Sequence, residues 1–210
     1  FYLYYLYYSS RNHQNHASTY RVKISFSKEI IIQHSSRELV LSPGEIGFFD
    51  QHGAIGSSIQ EFNGKKHLYY IGWTQGHESP LFYASIGLAI SRGIGDSFAK
   101  NSNAPLISRT RQDPLLMTSP FIYKEQDNFY RLIYISGVKW KRVNGKLLSY
   151  YRICSAKSQD GIDWYDLGKV LIDFDSGETN FARPSVFKRG STYVMFYSYK
   201  GSKHDYRIGM

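Results

Sequence analysis

Three acidic residues recur in this chain at nearly even spacing: Asp50, Asp113 and Glu178 lie 63 and 65 positions apart. Each precedes a segment that reads as a strand. Asp50 stands eight residues before Ser58, Asp113 seven before Pro120 and Glu178 six before Pro184. Carboxyl groups held at one radius and height by a repeated unit can do acid/base work, one protonating a leaving oxygen while another attacks or activates water. For a glycosidic bond the two stand about 5–5.5 Å apart for retention and about 6.5–9.5 Å apart for inversion. The same residues can instead cap the turns that open the strands, Asp113-Pro114 above all.

Other side chains fall at matching positions. Phe49-Asp50-Gln51-His52-Gly53 gathers an acid, an amide and an imidazole, which makes His52 a candidate acid/base group or sugar-binding donor. Arg183 precedes Pro184 where the equivalent residues are Ser57 and Ser119. A guanidinium there either clamps a carboxylate or phosphate with paired N–H groups or pairs with Glu178 or Asp50. Trp73 and Trp140 end equivalent strands, and each either stacks on a sugar face or packs into the core. One Cys and seven scattered His supply no zinc spacing, so no metal is expected. No phosphate-cradling loop or serine elbow is present, and no cofactor is expected. Gly93-Ile94-Gly95-Asp96 reads as a hairpin turn.

The elements that must position these residues come from an internal repeat. Aromatic-rich strands centred on Tyr8, Tyr70, Tyr134 and Tyr197 are 62, 64 and 63 residues apart. Each is followed by an alternating strand (YRVKISFS, SIGLAISRG, YRICSAKS, YRIGM). The last three are preceded by another (GAIGSSIQEF, MTSPFIYKE, FARPSVFKR), which turns back through Asn63-Gly64, Gln126-Asp127-Asn128 or Gly190-Ser191. Three strands and room for a fourth in about 63 residues predict an all-β propeller of four-stranded antiparallel blades. The 210 residues then hold, in one domain, the end of one blade, two whole blades and the first half of a fourth. Residues 108–117 read as a loop.

Composition agrees. Aromatics make up 17 %, with 19 Tyr and 13 Phe against 3 Met, and such side chains favour strands. The net charge of +9 comes from scattered Lys and Arg; the densest cluster, Lys139-Trp140-Lys141-Arg142, reads as a solvated hairpin shoulder. No nucleic-acid motif accompanies the charge, and the opening aromatic run, Phe1 to Tyr8, is too short to span a membrane as a helix. Cys154, the only cysteine, reads as a small buried hydrophobe and fits a cytoplasmic setting. The chain opens inside a strand, so its native start is expected upstream of Phe1.

The strings ISRG, SAKSQDGIDW, TSPFIY, FARPSVF and YRIGM, at this spacing, resemble the five-bladed propellers of the glycoside hydrolase family 43 and family 32 superfamily. The likeness is strongest to a glycosidase-like branch associated with bacterial polysaccharide gene clusters. It implies five blades, a carbohydrate ligand in the axial pocket, and three acids: one in a first blade upstream of Phe1, one at Ser119 and one near Ala182. Neither Ser119 nor Ala182 is acidic. Two readings stay open. In one, a carbohydrate-active enzyme uses Asp50 and Glu178 as its acid/base pair, with Asp113 in step and Arg183, His52, Ser119 and Trp73 binding an acidic sugar. In the other, a non-catalytic propeller binds a glycan or a protein partner.

Overall fold

The computed structural model of the protein describes residues 2–26, 29–93, 97–125, 129–175 and 177–210. The turn expected at Gln126-Asp127-Asn128 lies outside them, as does most of that at Gly93-Ile94-Gly95-Asp96. The described residues form fourteen strands and no α-helix. β1 (Tyr2–Arg11), β2 (Ala17–Phe26) and β3 (Ile30–Leu41) make an antiparallel meander. β4 (Gly53–Phe62), β5 (Lys65–Gln75), β6 (Phe82–Ser91) and the short β7 (Phe98–Lys100) make a four-stranded one. β8 (Leu116–Lys124), β9 (Tyr130–Val143), β10 (Lys146–Ser158) and β11 (Tyr165–Ile172) repeat that arrangement. β12 (Glu178–Arg189), β13 (Thr192–Gly201) and β14 (His204–Gly209) open another.

Turn chemistry sets the registers. Asn63-Gly64 and Asn144-Gly145 both take left-handed backbone angles, 48° and 74°, then 49° and 77°, which match the twist of the flanking strands. The run Leu132-Ile133-Tyr134-Ile135 is buried throughout because β9 is covered on both faces. Leu132 and Tyr134 join Phe62, Tyr69, Ile86 and Met117 in the layer between the second and third meanders. Ile133 and Ile135 pack with Ile153 and Phe181 against the fourth. Cys154 lies in the first of these layers, fully buried, and burial pushes its thiol up to about 11.

Polar contacts tie neighbouring meanders at their first strands. Thr19 donates to the Ala54 carbonyl at 2.8 Å, the Ile122 amide donates to Ser58 at 3.1 Å, and the Asn180 side-chain amide donates to Ser149 at 3.0 Å. Single parallel pairings join β2 to β4 at Ala17 and Gly53, and β10 to β12 at Tyr151 and Asn180. β8 also packs against both β4 and β12, so the first strands of the second, third and fourth meanders lie near one another and border the candidate site.

Candidate functional site

The first strands of the second, third and fourth meanders carry an irregularity at the same place: between Gly56 and Ser58 in β4, Thr118 and Phe121 in β8, and Ala182 and Ser185 in β12. A bulge re-aims the residue it contains, and it also accommodates Pro120 and Pro184, which cannot donate to a ladder. Ser119 and Arg183 stand at the bulges with left-handed φ of 50° and 51°, a conformation L-residues adopt at a cost. Both line one cavity of about 390 Å3. Arg11 at the end of β1, Asn15 from the β1–β2 turn, Ile55, Ile71, Trp73, Gln75, the segment 79–82 and Thr118 complete its described lining.

Trp73 reaches the cavity because its partner across the ladder is Gly53; a Cβ there would run into the indole Nε1. That Nε1 is buried without a hydrogen-bond partner. The Arg11 guanidinium sits 5.1 Å from the Trp73 ring and donates from Nη1 to Asn15 Oδ1 at 2.7 Å. Arg183 is exposed to the cavity, and among the described residues neither arginine has a carboxylate partner. None of the described residues lining the cavity is Asp or Glu.

The in-step acids sit elsewhere. Asp50, 2 % exposed, accepts from the Tyr70 phenol at 3.1 Å and pairs with Lys100 at 2.6 Å. Asp113, fully buried, accepts from the Tyr134 phenol at 2.8 Å, and that phenol accepts from the Gly168 amide at 2.7 Å. Burial, with the carboxylate alongside, pushes both phenols far up. The two acids thus fasten the loop ahead of each first strand to the second strand of the same meander. Glu178, half-buried, accepts from the Asp175 amide at 3.3 Å and holds its own turn. The even spacing of the three acids therefore reflects repeated loop fastening in the first two and a turn contact in the third, and the three do not converge on the cavity.

His52 also lies outside the lining. Its Nδ1 accepts from the Gln75 amide at 3.1 Å and its ring leans on Trp73 at 5.7 Å, so it backs the indole. Burial and the neighbouring His16 push its imidazole down. Trp140 packs edge-on against Phe82 beside the core. The structure thus brings together Trp73, Ser119 and Arg183 and adds Arg11 and Asn15, which the sequence reading missed. The signal for Arg11 was its place at the end of the first aromatic strand, YYSSR, equivalent to the stretch that ends at Trp73 in β5.

With this geometry in hand, solved structures place the fold. The chain matches BT0996, solved as a complex with RGII, with a TM-score of 0.72 and 19 % identity, over 98 % of this chain and 65 % of that one. It matches Cellvibrio cellulosa α-L-arabinanase at 0.64 and 13 %, over 98 % and 69 %. It matches the Bombyx mori GH32 β-fructofuranosidase BmSUC1 at 0.71 and 19 %, over 99 % and 42 %. The protein has the β-propeller fold that these structures share. In sequence it is 30 % identical over 201 residues to two proteins of Mycobacterium tuberculosis, "Uncharacterized protein MT1551" and "Uncharacterized protein Rv1502". The match takes in 95 % of this chain but 65 % of those relatives' length. No family model matches the chain.

Proposed function

We propose that this protein is a glycosidase-like, carbohydrate-binding propeller that takes a sugar bearing an acidic group into the cavity between its first strands. The observation that carries this reading is the lining: two arginines, a tryptophan and the Ser119 hydroxyl, with no carboxylate among the described residues. A cavity of this size falls at the lower end of the small-ligand range, about 300–1,000 Å3, and accommodates one or two sugar rings. The neighbours named as an arabinanase and a β-fructofuranosidase support a glycoside as the ligand class. The recurrence of the meanders every 63 residues or so supports a five-bladed ring with the cavity at its axis.

Binding is favoured over cleavage. Glycoside hydrolysis needs two carboxyl groups facing one open space, whereas Asp50 is engaged with Tyr70 and Lys100, and Asp113 with Tyr134. An array of neutral and acidic glycans, read alongside tryptophan fluorescence, tests the reading. The expected result is retention of acidic glycans with a fluorescence change that Trp73→Phe abolishes and Arg183→Ala weakens by about tenfold. An array without retained glycans removes the proposal. Release of reducing sugar that Asp50→Asn or Glu178→Gln abolishes would reinstate the enzyme.

A further inference from the structure

Among the described residues three arginines are ion-paired, and two others meet in the candidate cavity. Arg21, Arg131 and Arg142 are each neutralised by a carboxylate, from Glu38, Glu125 and Glu78 respectively. Arg11 and Arg183 share one small cavity with no such partner among the described residues. They also differ from each other. Arg183 makes no hydrogen bond or ion pair with another described side chain and is aimed by its bulge and its left-handed backbone alone. Arg11 is fixed on two sides, its plane over the Trp73 indole and its Nη1 on Asn15. Asn15 is itself set in a left-handed conformation, φ 65°, inside a turn that the Asn12 side chain closes by accepting from the Gln14 and His16 amides.

We propose that Arg11 and Arg183 form a two-armed clamp for an oxyanion, a carboxylate or phosphate carried by the sugar, with Arg11 as the preoriented arm. A guanidinium has five N–H donors in a planar fork. One bond to Asn15 leaves the rest of Arg11 free to grip an anion, and its side-chain ordering is met before the ligand arrives. Two cations with no counter-charge in a partly enclosed space also raise the local concentration of anions. Because Arg11 covers the indole, Trp73 and Asn15 are positioning residues here: they hold the arm. The sugar portion of the ligand rests on the reading above; the anion site does not.

Calorimetric titration of the whole chain with glucuronate, glucose 6-phosphate, inorganic phosphate and glucose, at low and high salt, tests the clamp. The acidic probes bind at least about tenfold more tightly than glucose, and salt narrows the gap. Arg11→Gln costs about tenfold in affinity for the acidic probes and flattens the salt dependence. Asn15→Gly keeps the charge and tolerates the backbone angle; it weakens binding by about threefold and leaves the salt slope unchanged, which a merely structural residue would not do selectively. Glucuronate bound equally by Arg11→Gln overturns the clamp and leaves the carbohydrate reading standing; glucuronate bound no better than glucose overturns the clamp and the acidic part of that reading, leaving a neutral sugar as the ligand. Inorganic phosphate bound in an Arg11-dependent way, with no gain from any sugar, upholds the clamp and overturns the carbohydrate reading. Failure of every probe overturns both.

Discussion

At the scale of single residues, Asp113 and Asp50 do the same job with different security. Asp113 has Oδ2 on the Tyr134 phenol, with the Thr110 hydroxyl only marginally in reach of the same oxygen at 3.4 Å, and Oδ1 buried without a partner. Asp50 has Lys100 as well as Tyr70. Removing a phenol therefore hurts unequally. Tyr134→Phe strips the donor from a buried carboxylate and the acceptor from the Gly168 amide, at a cost of about 3 kcal/mol. Tyr70→Phe leaves Asp50 its lysine and costs about 1 kcal/mol. Urea unfolding of the two variants measures the difference, and glycan binding by Tyr70→Phe should match that of the parent chain. Equal costs would mean that Lys100 gives Asp50 no protection.

Among the elements, the first strands carry both the fold and the site, and their bulges are where the two demands conflict. Ser119 and Arg183 hold left-handed angles that glycine adopts freely. Ser119→Gly should leave stability unchanged or raise it by up to about 1 kcal/mol, because relief of the strained angle offsets the added freedom of the unfolded chain. Thermal unfolding and sugar affinity measured on one preparation separate the two effects. Stability held or gained with affinity lost is the mark of strain kept for a ligand. Gly53 makes a similar accommodation without strain, its missing side chain giving Trp73 the room to reach the cavity.

Across the molecule the second and third meanders are covered on both faces by their neighbours, and this buries His67 where its protonation opposes folding. His67 is 6 % exposed in β5, against the Phe62 ring at 4.6 Å, and its Nδ1 has no partner. Burial, reinforced by Lys65, pushes its pKa below the ordinary 6.5. The unfolded chain therefore binds the proton more readily than the folded one. Stability is full above pH 6.5 and falls as the pH drops from there toward the lowered folded value. Unfolding free energies measured across that range should decline for the parent chain and flatten for His67→Gln. A slope that survives the substitution would place the responsible group elsewhere.

Much of this could be read from residue order alone. Even spacing of Tyr8, Tyr70, Tyr134 and Tyr197, strand alternation and the Asn-Gly turns determine the meanders and their registers, because such rules act over neighbouring residues. The same spacing makes Ser57, Ser119 and Arg183 equivalent positions of the repeat. What the acids do was decided in three dimensions. A carboxylate ahead of a strand looks alike in sequence whether it faces a cavity or a phenol, and the second strand's tyrosine, 20 or 21 residues on, took Asp50 and Asp113 into the meander body. Arg11 became part of the site for the converse reason. Its neighbours Trp73 and Arg183 lie 62 and 172 residues away, and only the closing of successive meanders around one space brings the three together.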